Sequence, residues 1–100
     1  MGGPPPPSRR LDKWLWHARV TKSRTAAQNL VAAGLVRVNR MRAGRASYEL
    51  GTGDILTIAA GGRVRVLKVV GFAGRRGPAS EARLLFAELS TPTGAPGDEA

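Results

Sequence analysis

The sequence predicts an α+β fold, in which two short helices pack together beside a small antiparallel sheet and a C-terminal extension follows. Apolar residues recur at helical spacing over residues 11–31, whereas residues 36–39 and 63–66 alternate as strands do. Glycine-rich turn signals separate the later strands. With 100 residues the chain can bury one core, and without cysteine it has no disulfide or thiolate metal site.

The first predicted helix has apolar residues at positions i, i+3, i+4 and i+7 of one face, namely Leu11, Trp14, Leu15 and Ala18. We expect it to end near residues 19–20, where a β-branched connector begins. Ser23 has the side chain of an N-cap for the second helix. The apolar face of that helix is predicted to be Ala27, Leu30 and Val31, with Gly34 as its C-terminal cap.

Three strands are predicted after the helices, at residues 36–39, 55–58 and 63–72. In the last of these, Val64 and Val66 alternate with arginines, and the alternation slips at residues 67–70, which predicts a bulge or burial on both faces.

The C-terminal extension begins after the basic, glycine-rich loop 71–77. Pro78 is predicted to open a helix, because proline is favoured at the first helical position. Its apolar face would be Leu84, Leu85 and Leu89, although residues 84–86 also suit a strand, and the sequence leaves both alternatives open.

One domain is expected over residues 9–90. Residues 1–8 form a Gly/Pro tail and residues 91–100 a second tail of similar composition, and both are expected to be disordered. No apolar run has the length of a membrane span or of a secretion signal, so we expect a cytoplasmic protein.

The positive charge is concentrated in residues 9–45. This stretch holds ten bases and the single acid Asp12, and it therefore carries the whole formal net charge of +9, because six bases balance six acids elsewhere. Positive charges gathered in one stretch repel each other and lower the stability of the fold, so folding alone does not explain them. The cluster therefore indicates a polyanionic partner, most commonly nucleic acid. An anionic membrane surface and a helix-turn-helix interaction with DNA are the alternatives.

The candidate contacts lie between the apolar positions and should project outward. At the start of the second helix, Lys22 and Ser23 would add a cation and a hydroxyl to backbone N–H groups that favour phosphate. Arg37 and Asn39 share one face of the first strand. The candidate nucleic-acid contacts are Arg10, Lys13, Arg19, Lys22, Ser23, Arg24, Gln28, Arg37, Asn39 and Arg40.

Five further residues have separate interpretations. Trp14 is expected in the core, whereas Trp16 could stack on a base or pack against a C-terminal element. The single histidine, His17, is expected at the surface. Arg75 and Arg76 are either phosphate contacts or part of a solvated loop. Because the acids are scattered and no metal-binding or catalytic set is evident, we expect neither a cofactor nor an enzyme.

The order and spacing of several motifs resemble the S-four RNA-binding domain, or alpha-L motif. They are Arg10-Leu11-Asp12-Lys13, Lys22-Ser23-Arg24, Ala27, Leu30-Val31, Gly34, Val36 and Val38-Asn39. Trp14-Leu15-Trp16 and residues 75–82 are similar to the stand-alone heat-shock-protein-fifteen branch. The chain departs from the family at Arg40, where glycine is usual.

The resemblance implies a non-catalytic protein that binds structured RNA through the two helices and the adjoining strand. In the heat-shock branch this RNA is ribosomal RNA of the large subunit, and the branch is associated with stalled or dissociated subunits. No small-molecule substrate and no membrane partner are expected, and nothing in the sequence requires more than a monomer.

Overall fold

The computed structural model describes residues 8–89 and confirms the predicted α+β architecture. Its elements are α1 (Leu11–His17), α2 (Arg24–Ala32), β1 (Val36–Val38), β2 (Met41–Arg42), β3 (Ile55–Ala60), β4 (Arg63–Val69), α3 (Ala79–Ala82), a 3₁₀ turn (Arg83–Leu85) and β5 (Phe86–Glu88). The strands form one antiparallel sheet in the order β2-β1-β3-β4-β5. Apart from Ser8, the two predicted tails lie outside the described residues.

Both long helices end in the same hydrogen-bonded motif. After α1 the backbone turns left-handed at Arg19 (φ 61°), and the N–H of Val20 donates to the carbonyl of Leu15 at 2.9 Å. After α2 the left-handed residue is Gly34 (φ 78°), as predicted, and the N–H of Leu35 donates to Leu30 at 3.0 Å. These are Schellman caps, and they fix where each helix stops.

The N-terminus of α1 is covered by the loop between β2 and β3. The N–H groups of Leu11 and Asp12 donate to the carbonyls of Tyr48 and Ala46 at 2.8 and 3.1 Å. These main-chain bonds satisfy donors that the helix itself leaves unpaired. The side chain of Asp12 therefore remains available for other partners.

The core lies between the two long helices and one face of the sheet. Trp14 is fully buried, as predicted; its indole N–H donates to the carbonyl of Gly71 at 2.9 Å, and its ring meets Phe86 edge-on at 6.2 Å. Among residues 8–89, the other apolar residues with no exposed surface are Leu11, Leu15, Ala27, Val36, Leu56, Leu67 and Val69. This packing places the outer surface of α1 and α2 beside the edge of the sheet formed by β1 and β2.

The prediction for the third strand is wrong on two counts. The pairing of β3 with β4 is continuous from Ile55–Lys68 to Ala60–Arg63, so no bulge forms. Burial on both faces is also absent, because Leu67 and Val69 are buried whereas Lys68 and Val70 are exposed, and the strand ends at Val69 rather than at residue 72. The reason is the register: Leu67 lies opposite buried Leu56, and residues opposite each other in an antiparallel pair share a face.

The C-terminal extension contains a helix, but a shorter one than predicted. Only Ala79–Ala82 is α-helical, and Phe86 begins a strand that pairs with β4. Leu85 is buried, but Leu84 is 72% exposed and Leu89 is also exposed, so the three leucines do not form one apolar face. The alternative of a strand is correct for Phe86, because pairing with the edge of the sheet satisfies its backbone.

Candidate nucleic-acid interface

A buried carboxylate joins three of the predicted contacts. Asp12, in the first turn of α1, has no exposed surface. Arg10 donates from Nε to Oδ1 and from Nη2 to Oδ2, both at 3.1 Å. Arg24 donates from Nε to Oδ2 at 3.1 Å, and Gln28 donates from Nε2 to the same oxygen at 3.0 Å. The backbone N–H of Lys13 completes the set at 2.8 Å from Oδ1.

This arrangement follows from the packing of α1 against α2. Arg24 and Gln28 are four residues apart on α2, so their side chains lie one above the other on one face of that helix. Arg24 is the first residue of α2, and Asp12 lies in the first turn of α1. The beginnings of the two helices are therefore tied together by polar contacts.

The hydrogen bonds decide the charge of Asp12. Burial alone would raise the pKa of the Asp12 carboxyl, but the hydrogen bonds from Arg10, Gln28 and Arg24 and from the backbone of Lys13 outweigh it. The pKa of Asp12 therefore lies well below its usual range, and the group is an anion at neutral pH.

The two arginines at Asp12 remain accessible. Their side chains are 38% exposed for Arg10 and 39% for Arg24, although each is anchored on a fully buried carboxylate. The guanidinium groups are thus held in place without being removed from solvent. Such a cation can bind an anion with less loss of side-chain entropy than a free one.

Lys13, Lys22 and Ser23 extend this surface around the starts of the helices. Lys22 and Ser23 are exposed, and Lys13 is half-buried. The hydroxyl oxygen of Ser23 accepts from the N–H of Ala26 at 3.0 Å, which confirms the predicted N-cap. The O–H of Ser23 can still donate to a ligand, because a hydroxyl group donates and accepts at once.

The end of β1 differs from the prediction. Arg37 is exposed on the strand, but Asn39 lies beyond it in a two-residue turn. The amide of Asn39 donates to Oδ1 of Asp54 at 3.0 Å and accepts from the N–H of Ile55 at 2.9 Å. Both ends of the Asn39 amide are therefore engaged in holding β1 to the start of β3.

Arg40 occupies a left-handed conformation in the same turn. Asn39 and Arg40 have φ values of 51° and 74°, and Val38 pairs with Met41 across the turn. These positive φ values define a hairpin turn in which glycine is the preferred second residue. The tight turn therefore forms with arginine in place of the family's glycine, and Arg40 is exposed.

Arg19 lies at the other end of α1, away from Asp12. Its Nε donates to the carbonyl of Gly77 at 2.8 Å, and Nε of Arg76 donates to the carbonyl of Trp16 at 3.1 Å. These contacts fasten the loop 71–77 to the end of α1. Arg75, in the same loop, is exposed, and Trp16 is half-buried.

His17 is buried, so its expected place at the surface is wrong. Burial lowers the pKa of His17, a hydrogen bond with the backbone of Ala73 opposes that effect, and the cations Lys13 and Arg24 lower the pKa further. Its Nδ1 has no hydrogen-bond partner among residues 8–89. The signal was available in the sequence, because position 17 follows Trp14 by three residues on the buried face.

Sequence reasoning missed the part played by Asp12 and the contact between Gly34 and Arg42. A Cβ built on Gly34 would lie 2.6 Å from Nη2 of Arg42, so the guanidinium packs directly against the end of α2. A cation is favourable beside the last carbonyls of a helix. The sequence signal for Asp12 was that it is the only acid in residues 9–45, which hold ten bases.

The site therefore presents cations and hydrogen-bond donors, which suit phosphate groups. Within residues 8–89 no group of three or more His, Cys, Asp or Glu residues could hold a metal ion. None of the helices within residues 8–89 combines the length and the hydrophobicity that a membrane-spanning segment requires.

Comparison with known proteins defines the class to which this surface belongs. The S4 domain family matches residues 9–56, which include α1, α2, β1 and β2. A solved structure, described as the trimeric structure of Vibrio cholerae heat shock protein 15, is 36% identical, covers 81% of each chain and superposes with a TM-score of 0.76. The chain belongs to the S4-domain family.

Within that family the chain is similar to heat shock protein 15. It is 38% identical over 81 residues to heat shock protein 15 of Escherichia coli K12 and 37% identical over 82 residues to the homologue of Haemophilus influenzae. The matches include 81% and 82% of this chain but only 60% and 62% of those proteins. The chain thus spans about three fifths of the length of the curated relatives it matches.

Proposed function

We propose that the chain is a non-catalytic, cytoplasmic protein that recognises folded RNA, with ribosomal RNA of the large subunit as its target. The observation that carries the proposal is the anchoring of Arg10, Arg24 and Gln28 on buried Asp12, which holds donors for phosphate at a fixed place. The handling of stalled or dissociated large subunits would be the cellular setting. The resemblance to the heat-shock-protein-fifteen branch implies that setting, and the identity of 37–38% to heat shock protein 15 supports the assignment to that branch.

The arrangement of side chains argues against the two alternatives. A membrane-surface helix needs exposed apolar residues, but Leu11, Trp14 and Leu15 of α1 are fully buried. A helix-turn-helix protein reads DNA with one helix in the major groove, but here the exposed cations continue beyond α2 onto β1 and its turn, at Arg37 and Arg40. Vesicle co-sedimentation and competition with duplex DNA test these alternatives directly.

The experiment that tests RNA binding compares Lys22→Glu with Lys68→Glu. Both lysines are exposed and both changes alter the charge equally, but Lys22 lies beside α2 and Lys68 lies on β4. We expect Lys22→Glu to weaken binding to transfer RNA and to reduce the slope of log affinity against log salt by about 1. Lys68→Glu should leave both nearly unchanged.

The salt dependence of the unmodified chain tests the proposal as a whole. If about five phosphates are contacted, log affinity should fall with log salt at a slope of about −3.5 to −4.5. Affinity that does not depend on salt, or equal losses in the two variants, would contradict RNA binding at this surface.

Ribosome fractionation tests the choice of target. We expect the chain to sediment with large subunits at low salt and to be released at high salt, because phosphate contacts dominate such binding. Sedimentation with small subunits would contradict the target but not RNA binding. The same gradients, with the free protein as reference, test whether it acts as a monomer, as we propose, or as a trimer like the Vibrio cholerae structure.

A further inference from the structure

We propose that Arg10, Arg24 and Gln28 form one binding site for a single phosphodiester group, and that buried Asp12 is the positioning residue of this site. This inference rests on the proposed function and deepens it. The proposed site is one defined contact within the basic surface, in which the guanidinium groups of Arg10 and Arg24 hold the same phosphate.

The geometry brings the two guanidinium groups together. Nη2 of Arg10 and Nε of Arg24 each lie 3.1 Å from Oδ2 of Asp12, so these nitrogens cannot be further apart than twice that distance. Nε2 of Gln28 lies 3.0 Å from the same oxygen. Three side chains, one from the residue before α1 and two from α2, thus converge on one atom, and a phosphate with two non-bridging oxygens is of a size to span them.

Each side chain keeps donors for a ligand. Arg10 uses two of its five N–H donors on Asp12 and Arg24 uses one, so three and four remain. Gln28 has a second N–H on the amide nitrogen that contacts Asp12. Because both arginine side chains are more than one third exposed, these donors can reach a ligand from solvent.

The charges also match. Two guanidinium cations and one carboxylate leave a local charge of +1, which one phosphodiester monoanion neutralises. Since Asp12 is fully buried and the guanidinium groups are not, the phosphate would meet the cations and not the carboxylate. The negative charge of Asp12 thus weakens the attraction of the site for anions, but its hydrogen bonds fix the positions of the guanidinium groups. Because these groups are already ordered, less entropy is lost when the phosphate binds.

The first test uses Asp12→Asn. Affinity for RNA should change in opposite directions if binding depends on net charge alone and if Asp12 positions the arginines. The substitution removes a negative charge and raises the formal net charge above +9. If charge alone governs binding, affinity for RNA should rise. If Asp12 positions the arginines, affinity for transfer RNA should fall about tenfold, since charge-assisted hydrogen bonds are lost or misplaced.

Two controls accompany this variant. Glu81→Gln removes the same charge at an exposed position on α3 and should leave affinity for RNA within about twofold, because surface charges add little. Heparin, a flexible polyanion, should bind Asp12→Asn as tightly as it binds the unmodified chain. If Asp12→Asn binds transfer RNA as tightly as Glu81→Gln does, the positioning role is overturned.

The second test does not depend on the stability of Asp12→Asn. Arg10→Lys and Arg24→Lys keep the charge and can still pair with Asp12, but each lacks the forked donor group. If both arginines hold one phosphate, the double variant should lose little more affinity than the weaker-binding single variant. As the matched control, Arg24→Lys combined with Arg37→Lys should show losses that multiply.

The outcomes separate this inference from the proposed function. Losses that multiply for Arg10→Lys and Arg24→Lys, with steep salt dependence retained, would overturn the shared phosphate site while leaving RNA binding intact. An unmodified chain whose affinity for transfer RNA does not respond to salt would overturn the proposed function and the inference together.

Discussion

Oδ2 of Asp12 lies 3.1 Å from Nε of Arg24, so a fully buried acid in the first turn of α1 is paired with the first residue of α2. Removing one member of such a pair leaves a buried charge or donor without its partner, which is costly. The ion pair between Asp12 and Arg24 therefore stabilises the packing of α1 against α2, and it also fixes the position of Arg24, a candidate RNA contact.

Acid should weaken the fold through Asp12. The pKa of Asp12 is lowered in the folded state, so the unfolded chain binds a proton more readily, and stability is lost as pH falls below about 4. We expect the free energy of unfolding, measured with urea, to decrease below that pH. Asp12→Asn should be less stable at neutral pH and should lose less on acidification; an unchanged acid dependence would contradict the account.

His17 should give a second pH dependence at higher pH. Because the pKa of His17 is lowered by burial, protonation favours the unfolded chain, and stability should be complete above about pH 6.5 and decline below it. We expect a lower urea midpoint at about pH 5.5 than at about pH 7.5. His17→Gln should remove this difference, and a difference that persists in His17→Gln would assign it to another group.

Arg40→Gly should separate stability from RNA binding. Glycine adopts the left-handed conformation of Arg40 without strain, so the free energy of unfolding should rise by about 0.5 kcal/mol. Loss of the cation should weaken binding to RNA and make the salt slope shallower by up to about 1. Arg40→Lys, which keeps both the charge and the strain, should change neither property by much; a less stable Arg40→Gly would contradict the strain argument.

The two long helices were predictable because their signals are local. Apolar spacing places Trp14 in the core, and Ser23 and Gly34 mark the two ends of α2. The sheet was less predictable because the buried face of β4 depends on which residues of β3 lie opposite it. The strand β5 depends likewise on an edge that only the folded sheet provides.

The site was predictable as a set of cations but not as an arrangement. Charge and spacing identified Arg10, Arg24 and Gln28, yet their convergence on Asp12 arises only when α1 and α2 pack together. In the same way, the contacts that engage Asn39 and Arg19 come from residues 15 and 58 positions further along the chain. Such long-range partners leave no periodic signal in a single sequence.

RNA binding around Asp12 is tested most directly by a map of backbone amide chemical-shift changes as folded RNA is added. We expect the changes to concentrate at residues 10–28 and 37–42, around the starts of α1 and α2 and the β1–β2 turn. Changes concentrated at residues 63–69 of β4, or spread evenly over the chain, would contradict an RNA-binding surface organised around Asp12.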